Sequence, residues 1–154
     1  MKKILMVCLG NICRSPMAEG ILKHKLKERN INWYVDSAGT AGYHIGEKPD
    51  RRAIEILKKH QIDISNLKGR QLSLSDFKTF DSIYVMDQSN YANTLSLANN
   101  EEETKKVEMI MNLVSPNQFI SVPDPYFGGP EGFEKVFKML NQACDAIINK
   151  HLSL

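Results

Sequence analysis

The chain of 154 residues carries a formal net charge of +2, with 42% apolar and 25% charged residues. These values fit a globular chain of one domain's length, able to bury a core unaided. They exclude a polycation built for nucleic acid, and no apolar stretch approaches the ~20 residues of a membrane-spanning helix.

The predicted elements alternate between strand and helix. Lys2-Lys3 precede an apolar run, but Ile4–Leu9 is shorter than the apolar segment of a signal peptide. It reads instead as a strand covered on both faces. Pro16 suits the first turn of a helix continuing through Met17–Glu28, where Met17, Ile21, Leu22 and Leu26 recur near helical spacing. Ile31–Ala38 predicts a second strand ending at Gly39 and Gly42. Pro49 and Asp50 open a second helix with Ala53, Ile54, Ile56 and Leu57 inward, and Gln61–Gly69 is a connector without a clear pattern. Ser82–Met86 predicts a third strand, Ser89–Ala98 a helix, and Asn99–Lys106 a solvated, charged turn. Val107–Met111 predicts a fourth strand. Ser115–Gly132, with four prolines and three glycines, is a long loop, and Phe133–Ile148 is a closing helix. Such alternation predicts a parallel sheet with right-handed crossovers and helices on both faces. One domain over residues 1–154 is expected. Three cysteines, Cys8, Cys13 and Cys144, are too few for a disulfide scaffold, so a reducing, cytoplasmic compartment is expected.

Ligands of parallel α/β sheets gather at the carboxyl ends of strands, and Cys8 ends the first one. Alone, Cys8 reads as a small buried hydrophobe. The residues after it change that reading: Leu9, Gly10, Asn11, Ile12 and Cys13 lead to Arg14, Ser15 and a helix start. A helix N-terminus offers unpaired N–H groups and partial positive charge to an oxyanion, and a guanidinium grips two phosphoryl oxygens. The same field favours a thiolate aimed at phosphorus. Gly10 and Asn11 suit an inward-turned loop. Ser15 either caps the helix or donates a hydrogen bond to the sulfur. Far downstream, Val122-Pro123-Asp124-Pro125-Tyr126-Phe127 holds Asp124 in a stiff loop. An Asp–Pro turn is the plain reading; the chemical one is a general acid that protonates a departing ester oxygen and then activates water. Tyr126 and Phe127 on one side and Tyr43 on the other offer walls for a substrate ring.

Together these residues resemble the low-molecular-weight protein tyrosine phosphatase family. The match runs through Val7–Pro16, Ala18-Glu19, Asp36–Thr40, Arg70-Gln71, Met86-Asp87 and Asp124–Tyr126, nearly the length of the chain. The resemblance implies a three-layer, flavodoxin-like α/β sandwich whose four parallel strands run in the order 2-1-3-4. It implies a cofactor-free, metal-free hydrolysis through a cysteinyl-phosphate, with phosphotyrosine proteins or peptides as partners and inorganic phosphate as product. A monomer acting without nucleic acid or membrane is expected. By the family pattern Cys8 is the nucleophile, Arg14 the phosphate clamp and Asp124 the acid. Leu9 through Cys13, Ser15 and Asp87 support the phosphate loop, and Ile12, Tyr43, Tyr126 and Phe127 bind substrate. Cys13 matches a loop cysteine able to pair reversibly with the nucleophile.

Two departures stand out. Asn66-Leu67-Lys68 replaces a connector in which many members carry a histidine bracing the loop, and Phe127 replaces a second tyrosine. Rival readings are weaker. A zinc site has no partner ligands near Cys8 and Cys13. An arsenate reductase relay lacks cysteines between Cys13 and Cys144. An arginine phosphatase of the same fold carries threonine where Ile12 stands. A catalytically silent phosphate-binding module would not need Cys8, Arg14 and Asp124 together.

Overall fold

In the computed structural model, which describes residues 1–152, the chain forms one four-stranded parallel sheet. The strands are β1 (Lys3–Cys8), β2 (Tyr34–Gly39), β3 (Ser82–Val85) and β4 (Val107–Met109), in the order β2-β1-β3-β4. The helices are α1 (Arg14–Glu28), α2 (Arg51–Lys58), the single turn α3 (Asp76–Thr79), α4 (Gln88–Leu95), α5 (Glu101–Lys105) and α6 (Pro130–His151). A 3₁₀ turn, Ile110–Leu113, follows β4.

The sheet divides the core in two because side chains alternate along each strand. Ile4, Met6 and Cys8 face one side, with Tyr84, the apolar residues of α1 and α2, and the long stripe of α6. Leu5 and Val7 face the other, with Ile83, Val85, Val107, Met109, Phe77 and Phe80. The first face is the larger, and it carries α1, whose N-terminal turn abuts the end of β1.

Several boundaries differ from the sequence expectation, each for a local reason. β2 begins at Tyr34 rather than Ile31, because Ile31 donates its N–H to Leu26 O and so closes α1, with Asn30 in the left-handed region at φ 54°. The Asn99–Lys106 charge run is not a plain turn: it contains α5. Asn100 caps that helix by accepting from Glu103 N, and three glutamates in the first turn complement its dipole. The fourth strand stops at Met109, where the chain tightens into the 3₁₀ turn. The fourth helix starts at Gln88 because Asp87 caps it through Asn90 N. α6 extends the predicted Phe133–Ile148 helix at both ends, with Pro130 at its start. Among the described residues no helix is long and apolar enough to cross a membrane.

Candidate active site

The turn from β1 into α1 is shaped by backbone demands before any side chain acts. Asn11 sits at φ 58°, a conformation rare outside glycine. Its side chain holds it there. Asn11 Nδ2 donates to Ser15 Oγ (2.7 Å) and Ser37 Oγ (2.9 Å), while Oδ1 accepts from the backbone N–H of Arg70 (3.0 Å). Ser37 Oγ in turn donates to the buried carboxylate of Glu19 at 2.6 Å. Burial raises the pKa of Glu19, with bonds from Lys23 and Ser37 working against the rise. Arg70 is itself fixed by Asp36 on one side and by a two-point contact with Asp76 on the other, each at 3.0 Å. With no histidine in the connector, the main-chain N–H of Arg70, the residue that follows it, braces the loop. Beside it, Gly39 lets β2 approach closely: a Cβ there would lie 2.7 Å from Leu9 O and 3.1 Å from Asn11 N.

Cys8 ends β1 and is buried, and Ser15 Oγ lies 3.0 Å from its sulfur. Cys13 occupies the N-cap position of α1, and no side chain caps that end. Ser15 therefore lies inside the first turn and turns its hydroxyl toward sulfur instead of capping. Arg14 is buried although charged. Its Nη1 donates to Asp87 Oδ2 (2.6 Å) and to Val122 O (2.9 Å), and its Nη2 lies 3.7 Å from Asp124 Oδ2. Burial, reinforced by Asp50, raises the pKa of the Cys13 thiol and keeps it protonated. All three cysteines are free.

Cys8, Leu9, Gly10, Ile12, Cys13, Arg14, Tyr43, Asp124, Tyr126 and Phe127 line one cleft of about 240 Å³. Asn11, Ser15 and Asp87 stand behind its wall. Asp124 Oδ1 accepts from Tyr126 N at 3.0 Å, which orients the carboxyl within its loop. Tyr43 and Phe127 are 74% and 93% exposed, so the two rims of the cleft are open aromatic surfaces. His44 was not among the expected residues, yet it lines the cleft, and its ring edge presses on Gly10 so that a Cβ there would stand 3.0 Å away. Its neighbour Tyr43 was the only signal. Glu19 did leave a trace: it follows Ser15 and Ala18 and precedes Leu22 and Leu26 on one helical face, an unusual place for a carboxylate.

A four-stranded parallel sheet whose first strand ends in a buried cysteine and a short loop to a buried arginine, with an aspartate from a proline-flanked loop in the same cleft, defines a flavodoxin-like class of α/β proteins. A family model described as low molecular weight phosphotyrosine protein phosphatase matches residues 3–153. A relative of that name from Homo sapiens is 40% identical over 152 residues, covering 97% of this chain and 95% of the other. The structure of a protein tyrosine phosphatase from Entamoeba histolytica is similar with a TM-score of 0.93 at 35% identity, over 99% of this chain and 98% of that one. A drosophila arginine phosphatase is similar with a TM-score of 0.90 at 36% identity, over 98% of each chain. The chain belongs to the low molecular weight phosphotyrosine protein phosphatase family.

Proposed function

We propose that this protein hydrolyses phosphotyrosine in proteins or peptides, and small aryl phosphates, through a cysteinyl-phosphate. The observation that carries the reading is the convergence of Cys8, Arg14 and Asp124 on one cleft at the end of β1. The Cys8 thiolate attacks phosphorus and forms the S–P bond as the aryl P–O bond breaks. Asp124 gives its proton to the departing phenolic oxygen, which leaves neutral. Arg14, fixed by Asp87 and Val122 O, and the N–H groups of the α1 start hold the equatorial oxygens. In the second step the Asp124 carboxylate takes a proton from water, whose oxygen attacks phosphorus. The S–P bond breaks, Ser15 supports the returning thiolate, and inorganic phosphate is released. Ile12 packs on the phenyl ring between Tyr43 and the Tyr126–Phe127 pair, and Asn11, Gly10, Leu9 and Cys13 keep the loop in shape. The protein acts as a single-domain monomer, and its dependence on a reduced thiol supports a cytoplasmic setting.

Hydrolysis of p-nitrophenyl phosphate tests the reading. Turnover should persist in chelator and vanish in Cys8→Ser; a wild type without turnover would make the protein a binding module instead. The likeness to an arginine phosphatase keeps phosphoarginine as a second substrate reading. Ile12 decides between them: phosphotyrosine peptides should be preferred by the wild type, and Ile12→Thr should shift the preference toward phosphoarginine.

A further inference from the structure

Two segments far apart in sequence must meet at the cleft, the loop of residues 8–14 and the segment 124–129. The start of α2 lies between them and touches both. Asp50 donates its backbone N–H to Ile12 O at 2.7 Å, which ties α2 to the phosphate loop. The Asp50 carboxylate caps α2 through Arg52 N (2.8 Å) and also grips the Arg52 guanidinium, Nε at 3.0 Å and Nη2 at 3.1 Å. Held in this way, the guanidinium turns its outer donors on the other segment. Nη2 donates to Tyr126 O at 2.9 Å and Nη1 to Gly128 O at 3.3 Å. Its Cζ lies over the Phe133 ring, 4.7 Å from the centroid, and over that of Tyr126 at 5.5 Å.

Apart from the approach of Asp124 Oδ2 to Arg14 Nη2 at 3.7 Å and the burial of Pro125, the segment has few ties of its own. Its own backbone bonds are local, Tyr126 N to Asp124 Oδ1 and Gly128 N to Pro125 O. Among the described residues, the only hydrogen bonds that join 124–129 to anything but its own loop and the adjoining start of α6, where Gly132 N donates to Gly129 O at 3.0 Å, come from Arg52. The planar fork, with five donors, makes four such bonds at once, two to the Asp50 carboxylate and one to each carbonyl, where an ammonium has only three protons to give.

We propose that Arg52, clamped by Asp50, is a positioning residue that sets the height of Asp124 above the phosphate loop, and that it acts on catalysis through Asp124 alone. The inference rests on the reading of Asp124 as the general acid. A misplaced acid penalises substrates whose leaving oxygen needs a proton and spares those whose leaving group departs as an anion. The proposed test is kcat/KM over aryl phosphates of rising phenol pKa for the wild type, Arg52→Ala, Asp124→Asn and the double variant. Arg52→Ala should lose on the order of 10²-fold on the poorest leaving groups, the scale of a group displaced by about 1 Å, and far less on the best. In the Asp124→Asn background the same change should cost nothing further. An equal loss at every leaving group would mark Arg52 as a substrate-binding or merely structural residue and overturn the proposal, as would an additive double variant. If Arg52→Ala does not fold, Arg52→Lys carries the same cycle, with a shallower but still leaving-group-dependent loss. A wild type inert toward every aryl phosphate would defeat the phosphatase reading itself and this inference with it. An active wild type with an additive cycle would defeat the inference alone.

Discussion

Ser15 shows how much one hydroxyl is asked to do. Asn11 Nδ2 donates to its oxygen, and its single proton has two acceptors in reach, the Cys8 sulfur at 3.0 Å and, farther off, Ala38 O at 3.5 Å. A hydrogen bond to a charged group is worth ~1.5–3 kcal/mol, and ~1.4 kcal/mol is tenfold in rate. Ser15→Ala should therefore lower kcat on a good leaving-group substrate by roughly 10- to 100-fold, because phosphoenzyme breakdown slows. Quenched-flow measurement should find more phosphate on Cys8 at steady state; an unchanged kcat would remove Ser15 from that step. Asp87→Asn should act differently, since Asp87 holds Arg14 at 2.6 Å and takes no part in bond making. A raised KM for aryl phosphates and weaker inhibition by phosphate are expected, and a fall in kcat alone would contradict that role. Cys8, Arg14 and Asp124 stand out in the sequence by their spacing or their proline neighbours, and the fold brings the three to one cleft. Ser37 and Arg70 fall in the matched stretches without a readable task, and Arg52 falls in none, because their partners lie 26, 59 and 74 positions away and only folding brings them together.

Among the elements, α1 is constrained at one glycine. A Cβ on Gly20 would come within 2.4 Å of Ile64 Cγ2, 3.1 Å of Leu57 and 3.3 Å of Ile62. Alanine is favoured over glycine in a helix by ~1 kcal/mol, but overpacking a filled core costs ~1–3 kcal/mol. Ile64 Cγ2 branches from a buried Cβ and cannot swing aside, so the clash should win. Urea denaturation of Gly20→Ala is expected to show a lower midpoint, and a higher one would mean that the connector yields. The long elements were readable from periodicity, which needs three or four turns to speak. The turn α3, the helix α5 and the end of β4 were not, because elements of four, five and three residues carry too few repeats. Their signals are caps and long-range bonds: Asn100 for α5, and for α3 the Asp76 carboxylate, which receives both Ser73 N and Arg70.

For the molecule as a whole, pH acts at the far end of α6. His151 lies against Tyr84, whose hydroxyl is 2.7 Å from Nε2, and against the edge of Trp33. Burial, with Lys2 and Lys150 adding repulsion, depresses its pKa to about 4. Between that value and ~6.5 the unfolded chain binds a proton that the native state refuses. This contribution to stability therefore rises with pH through that window and is flat above it. Glu19, with its pKa raised, contributes in the opposite sense, so the test is a difference: the stability of the wild type minus that of His151→Gln should rise with pH over that window. We expect thermal unfolding in a single transition for both.

The two faces of the sheet are unequally filled, and Asp87 belongs to the thinner one, where it caps a helix of eight residues. In α4 the side-chain oxygens of Asn90 and Thr94 are buried with no partner among the described residues. Amide protons of α4 should consequently trade with deuterium sooner than those of α1 and α6, by opening of that layer while the other stays shut. Each such excursion would release the carboxylate that holds Arg14, and the proposed hold on phosphate would slacken long before the protein melts. Bound phosphate, by retaining the arginine, should slow deuterium uptake in a helix that the ligand never touches.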